Sequence, residues 1–236
     1  MNSIVITIDG YCSCGKSTLA KDLAKAMSYK YVDTGAMYRA VTLYFIRHGI
    51  NWEDGEAVEQ ALNAISIDFS YAPETGEQIT NLNGHPVEEA IRTFEVSARV
   101  RVSARVSQVS AIREVRAKMV EQQQRFGEEK GIVMDGRDIG TVVFPEAELK
   151  FFLTASQPVR TKRRYDELRE AGKIVTIEEV RKNLEERDYL DTTRQESPLR
   201  RAADALVLDN THLSTADQLA YTKAKALEIL QAQAHP

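Results

Sequence analysis

The chain is poor in the residues that build covalent or metal frameworks. It holds two cysteines, Cys12 and Cys14, and four histidines, His48, His85, His212 and His235. Two thiols one residue apart cannot staple a fold, and a zinc site would lack further ligands, so both read as free thiols of a reducing compartment. The histidines show no metal-ligand spacing and read as surface or packing residues. No apolar run approaches the ~18 to 20 residues of a membrane span, and the opening MNSIVITIDG has no basic region ahead of an apolar core. A cytoplasmic protein without a membrane partner is expected. There is no G-x-S-x-G elbow, no H-E-x-x-H helix and no [NT]-K-x-D guanine-reading motif; Thr161-Lys162-Arg163-Arg164 ends in arginine. These gaps speak against serine-hydrolase, zinc-protease and GTPase-switch chemistry. A net charge of -4 argues against general nucleic-acid binding.

What is present centres on Gly10-Tyr11-Cys12-Ser13-Cys14-Gly15-Lys16-Ser17-Thr18, which fits G-x-x-x-x-G-K-[ST]. The β-branched run Ile4-Val5-Ile6-Thr7-Ile8-Asp9 precedes it, as expected of a strand buried on both faces, and a helical pattern with Leu19, Leu23, Ala26 and Met27 follows. A strand-loop-helix of this kind is an anion cradle. Backbone N–H groups converge on a phosphate, the helix N-terminus adds about half a positive charge, Lys16 reaches the β/γ-phosphates and Ser17 ligates Mg²⁺. The same helix N-terminus favours thiolate, so thiol reagents are expected to attack Cys12 or Cys14 and ATP to protect them.

Further along, Tyr29 to Val32 reads as a second strand and Asp33-Thr34-Gly35-Ala36-Met37-Tyr38-Arg39 opens a helix to about Arg47. That repeats the strand-turn-helix plan, with polar side chains at the strand's carboxyl end, where open α/β sheets bind ligands. A helix over about 52–65 leads to Ile67-Asp68-Phe69-Ser70-Tyr71 and Ile79-Thr80-Asn81-Leu82, then the turn dipeptide Asn83-Gly84, a small antiparallel insert. Residues 92–126 read as helix. Arg92, Arg99, Arg101, Arg105, Arg113, Arg116 and Lys118 outnumber Glu95 and Glu114 there. Such a bias fits a solvated face, and it fits a nearby anionic substrate equally well. The hexads Val96-Ser97-Ala98-Arg99-Val100-Arg101 and Val102-Ser103-Ala104-Arg105-Val106-Ser107 nearly repeat. Six residues turn a helix by about 600°, so the extra copy must be absorbed at a helix end or bend. Gly131 to Asp135 is a strand ending in an acid, as a metal-assisting strand would, followed at once by Arg137 and Asp138. Strands at 150–153 and 205–209 alternate with helices from Ser156, from a capping box at Thr176 and Glu179, and from Ser214 or Thr215. Five apolar strands alternating with helices make a doubly wound α/β sheet. Several arginines and a phosphate cradle without a covalent nucleophile suit phosphoryl transfer, in which positioning and charge neutralisation do most of the catalysis.

Taken together, the phosphate loop, Asp33 to Arg39, Ile91-Arg92-Thr93, Asp135-Gly136-Arg137-Asp138-Ile139-Gly140-Thr141-Val142-Val143-Phe144-Pro145, Glu186-Arg187-Asp188, Asp191 with Arg194, and Ala202-Ala203-Asp204-Ala205 resemble the bacterial cytidylate kinases over nearly the whole chain. The resemblance implies a single P-loop kinase domain, 1–236. Its fold would be a three-layer α/β sandwich around a five-stranded parallel sheet, with core segments 1–65, 127–155 and 174–236. An antiparallel monophosphate-binding insert and helix would span about 66–126, and a helical lid about 156–173. It implies transfer of the ATP γ-phosphoryl group to CMP or dCMP, with Mg²⁺, by a monomer that engages no nucleic acid. Gly10 to Thr18 with Arg160 and Arg164 would hold ATP; Ser17, and Asp135 through water, would serve the metal. Lys16, Arg39, Arg137, Arg163 and Arg194 would stabilise the transferring phosphoryl. Thr34, Tyr38, Arg39, Arg137, Arg187, Asp191 and Arg194 would lie on the acceptor's phosphate and ribose. Ser107, Arg116 and Asp138 would read cytosine, with Ser97 and Ser103 as competing candidates for the Ser107 role. Tyr11, Cys12 and Cys14 stand where the family commonly has proline and small residues, and Thr34 where many members have serine. A kinase for UMP or another acceptor and a nucleic-acid-dependent ATPase remain the alternatives. Lys16→Ala or Arg137→Ala is expected to lower turnover with little loss of stability.

Overall fold

The computed structural model describes residues 3–72, 74, 78–97 and 102–234, with the side chains of 93–97 and 102–104 outside that description. Ser97, Arg99, Arg101 and Ser103 therefore lie outside the described residues or side chains. The chain divides into one unit made of the residues up to Tyr31 and from Gly127 on, and a second, Val32–Phe126.

The first unit contains β1 (Val5–Gly10), α1 (Lys16–Met27) and most of the central sheet. Strand β2 (Lys30–Asp33) starts in it. The second unit carries α2 (Thr34–Arg47), α3 (Gly55–Asn63), β3 (Ile67–Tyr71), β4 (Gln78–Leu82), β5 (His85–Pro86), α4 (Glu88–Ser97), α5 (Val102–Ala111) and α6 (Arg113–Phe126). The first unit then resumes with β6 (Ile132–Gly136), a π-helical turn Ile139–Val143, β7 (Leu149–Thr154), α7 (Gln157–Glu170), α8 (Ile177–Thr193), β8 (Leu206–Asp209) and α9 (Thr215–Ala234).

The five-stranded sheet has the order β2-β6-β1-β7-β8. Strand β1 pairs in parallel with β6 (Ile6 opposite Val133) and β7 (Ile8 opposite Phe151), and β7 with β8. Crossover helices between parallel strands cover the faces, which is why all six residues of β1 are buried. The period-two alternation of a strand sorts them. Ile4, Ile6 and Ile8 join Leu19 and Leu23 of α1, Phe151 and Leu153 of β7 and Ala226 of α9 in one apolar cluster, each large side chain contributing about 2 kcal/mol by leaving water. Thr7 and Asp9 occupy the other face. Local signals set the helix ends. Thr176 and Glu179 form the reciprocal capping box at the start of α8, and Ser214 with Asp217 does the same at α9.

In the second unit β3, β4 and β5 form the small antiparallel sheet, Ile67 facing Leu82. Asn83 and Gly84 take φ of 52° and 75°, the left-handed pair that a two-residue hairpin turn requires. Helix α2 packs against α4, α5, α6 and β4. Among the described residues the helix expected over 92–126 is broken at Ile112, between α5 and α6. The first hexad copy begins at the end of α4 and the second opens α5; the stretch 98–101, where the copies join, lies outside the described residues.

Candidate active site

Two glycines shape the phosphate loop. Gly10, at φ 152°, lies so close to β7 that a Cβ would run into the Leu153 carbonyl, and Gly15 caps α1 in the left-handed conformation at φ 87°. Inside the loop the Lys16 ammonium donates to the Tyr11 carbonyl at 2.7 Å, as the Cys14 thiol does at 3.0 Å. Ser17 Oγ donates to Asp135 Oδ2 at 2.9 Å and the Tyr31 hydroxyl to Asp135 Oδ1 at 2.7 Å. The hydroxyl and carboxylate expected to serve a metal are thus adjacent. The backbone at Cys12 is held through both of its polar groups: its N–H donates to Asp188 Oδ1 (3.2 Å) and its carbonyl accepts from Arg160 (3.2 Å). Arg160 also pairs with Asp188 at 2.5 Å and lies over the Tyr11 ring. Arg160 is buried, so α7 is tied to the loop's backbone through it.

Beyond β6 the charged residues interlock. Arg137 Nε donates to Asp191 Oδ2 at 2.7 Å, and Arg194 lies 3.5 Å from Asp191 and 3.9 Å from Asp138. The Arg194 side chain is 7% exposed. Burial pulls Asp191 upward, but Arg137, Arg194 and Arg187 more than offset it and hold its carboxyl below the usual range. Burial likewise pulls Arg137 down, and Asp191 with the two thiols reverses this, so the guanidinium stays charged. Arg187 Nε, on α8, has no hydrogen-bond partner among the described residues. The result is a largely buried array of fixed positive charge interleaved with carboxylates, suited to holding an anion. Arg164 pairs with Glu167 on its own helix at 2.8 Å. Arg163 lines a cavity of about 190 Å³ beside the loop, together with Gly15, Thr18, Asn210, Leu213 and Gln218.

The second unit gathers the others. Asp33 caps α2 through Ala36 N–H (2.8 Å) and accepts from Arg39 (3.1 Å), with Arg92 at 3.8 Å. Arg39 Nε is buried with no hydrogen-bond partner among the described residues. Thr34, next to Asp33, is buried. The Arg116 guanidinium lies 5.4 Å from the Tyr38 ring centroid and donates to the Ser110 carbonyl, while Ser110 Oγ donates to the Ser107 carbonyl. Ser107 and Arg116, nine positions apart, are joined through Ser110, which the sequence did not single out.

A model of the cytidylate kinase family matches residues 6–226. The chain is 54% identical to a cytidylate kinase of Phocaeicola vulgatus over 92% of its length and 94% of that protein's. The chain belongs to the cytidylate kinase family. Identity to the cytidylate kinases of Bacteroides fragilis and Porphyromonas gingivalis is 52% and 53%, over 98% and 96% of this chain and 100% and 97% of theirs.

In this member of the cytidylate kinase family, sequence reading missed the residues that hold the motifs. Asp9 directly precedes the first loop glycine. Its oxygens accept the N–H groups of Ile139 (2.9 Å) and Gly140 (2.7 Å), which fixes the π-helical turn after Arg137 and Asp138. A Cβ at Gly140 would lie 2.9 Å from Thr7 Oγ1 and 3.4 Å from Asp9 Oδ2, so that approach needs glycine. Burial raises the Asp9 pKa to about 7, against the opposing pull of those two N–H groups. A carboxyl raised in the folded state binds its proton more tightly there than in the unfolded chain. It therefore favours folding most below about pH 4, and that advantage is lost as pH rises to about 7, with a span of up to about 4 kcal/mol. In urea unfolding, the stability of the native protein relative to Asp9→Asn should fall between pH 5 and pH 8; a pH-independent difference would contradict the assignment.

The thiols also differ from expectation in access. Cys14 is fully buried, and Cys12, 5% exposed, packs with Val180 and Leu184 of α8. Burial pushes the Cys12 thiol up, but Arg187, Arg137 and Lys16 outweigh it and bring its pKa below the usual value. Acidity favours reaction and burial opposes it, so labelling requires the loop to part from α8. Among the described residues no group of three or more His, Cys, Asp or Glu is placed to hold a metal, and no helix is long and apolar enough to cross a membrane.

Proposed function

We propose that this chain transfers the γ-phosphoryl group of ATP to CMP or dCMP, yielding ADP and CDP or dCDP. The observation that carries this reading is the buried Arg137-Asp191-Arg194-Asp138 array in a chain whose family match runs through the phosphate loop and that array together. Fixed guanidinium groups neutralise the charge on the transferring oxygens without reorganising at the moment of reaction.

In this reading the loop N–H groups and Lys16 take the β- and γ-phosphates, Lys16 exchanging the Tyr11 carbonyl for the ligand. The cavity lined by Thr18, Arg163 and Leu213 receives the nucleoside end of ATP. Ser17 and Asp135 offer a hydroxyl and a carboxylate, the hard oxygen donors that Mg²⁺ takes beside phosphates and water, and the ion would supply charge neutralisation there. Arg39, Arg137, Arg187 and Arg194 hold the acceptor phosphate, with Thr34, Tyr38 and Asp191 beside it. Ser107, Arg116 and Asp138 read the base, since cytosine offers an amine donor next to ring-nitrogen and carbonyl acceptors. Arg160 acts chiefly by holding the Cys12 peptide, and Arg163 and Arg164 close over ATP with α7. The enzyme works as a cytoplasmic monomer on free nucleotides.

Turnover measured side by side with CMP, dCMP, UMP and AMP tests the reading. The expected order places CMP and dCMP well ahead of the others, and a preference for AMP, or no activity on CMP, would sink it.

A further inference from the structure

Asn210 is the first residue past β8 and is 1% exposed, although it belongs to no motif of the sequence. Its side-chain amide donates to the Cys14 carbonyl at 2.7 Å and to Gln218 Oε1 at 2.8 Å, and its Oδ1 accepts from Arg163 Nη1 at 2.9 Å. The main chain joins in. Asn210 N–H donates to the Thr154 carbonyl at the end of β7, and its carbonyl accepts from Arg163 Nη2 at 2.9 Å. The amide has one tenable orientation. Gln218 is itself fixed by donating to the Leu213 and Ser214 carbonyls, so a flipped Asn210 would set oxygen against two acceptors and an amine against a guanidinium.

We propose that Asn210 is a positioning residue that aims the phosphate loop at the nucleotide and fixes Arg163 beside it. The Cys14 carbonyl and the Gly15 N–H belong to one planar trans unit and point in opposite directions. Holding that carbonyl outward on Asn210 therefore turns the Gly15 N–H inward, where an anion cradle needs a donor. Glycine at 15 has no Cβ to resist rotation of this peptide, so the restraint must come from outside the loop. Arg163 is fixed by the same residue. Two of its nitrogens grip Asn210 in a fork, which sets the guanidinium plane along the cavity wall. One buried amide thus couples the loop, β7 and α7, and its effect falls on the triphosphate donor and not on the acceptor.

This inference rests on the ATP site described above, and its test separates the two. Asn210→Asp keeps the size and the acceptor for Arg163 but turns an oxygen toward the Cys14 carbonyl and Gln218; Asn210→Ala removes all three side-chain contacts without adding charge and carries the test should the aspartate variant fail to fold. Steady-state kinetics with each nucleotide varied in turn should give a KM for ATP raised about 10- to 100-fold, the cost of one strong buried contact, and a KM for CMP within about twofold of the parent. A general loosening of the fold would raise both constants together, and that result would overturn the assignment. So would an ATP KM unchanged in both variants while the parent enzyme saturates normally with ATP. A parent enzyme that does not saturate with ATP at all would overturn the donor-site reading and this inference with it.

Discussion

Lys16→Ala is expected to lower kcat/KM by about a thousandfold or more while leaving the fold nearly as stable as before. The ammonium is buried in the loop and donates to the Tyr11 carbonyl, which the Cys14 thiol also serves. Removing the amine therefore orphans no acceptor, and the stability cost should stay near 1 kcal/mol. The catalytic loss is larger because the charge of this buried ammonium is spent on oxygens that become more negative as the phosphoryl group transfers. Initial rates with CMP and ATP, taken beside a thermal melt, check both halves. Near-normal turnover would remove Lys16 from the chemistry, and a collapsed melt would show that it also holds the loop together.

Asp191→Ala should be the most destabilising change among the site residues, at about 3 to 5 kcal/mol. It would leave Arg137, bonded to it at 2.7 Å, and Arg194, 3.5 Å away, as buried like charges without their shared counter-ion. The pH dependence has a definite sign. Burial raises the Asp191 pKa and the arginines lower it further than that, so its folded pKa lies below the unfolded one. Its contribution is present above the usual carboxylate range and is lost as pH falls into the acid limb. Urea unfolding of parent and variant should differ most at neutral pH and converge in acid; equal stability at neutral pH would mean that the arginines find other partners. The same geometry modifies the expectation for Arg137→Ala, which should lose turnover and some stability as well. Asp191 then keeps Arg194, at a longer distance, and the field of Arg187, so the stability loss should be smaller than for removing Asp191 itself.

How much was legible depended on the range over which each feature acts. The phosphate loop, the Thr176–Glu179 capping box and the Asn83-Gly84 turn were all readable because their physics lies within a few residues. Positive φ, an N-cap and a strand-loop-helix sequence are written in neighbouring side chains. The alternating strands of β1, β6 and β7 were readable for the same reason. The break at Ile112 between α5 and α6 was not foreseen, since residues 92–126 carry no proline or glycine to announce it. The π-helical turn could not be foreseen. Its N–H groups are held by Asp9, 130 and 131 positions away, and no local pattern announces such a turn.

By itself, then, the sequence determined a parallel α/β sheet with a phosphate cradle at its edge, and, through the linked arginine blocks, the family to which it belongs. The tertiary structure alone decided how those parts are held. Asp135 receives Ser17 from 118 positions away, Asp191 receives Arg137 from 54, and Asn210 reaches Cys14 across 196. Helical and strand periodicity say which face of an element is buried, but they carry no record of which distant polar group will meet it. That depends on strand order and on crossovers, which bring the carboxyl ends of β1, β6, β7 and β8 to one edge only once the whole sheet has formed.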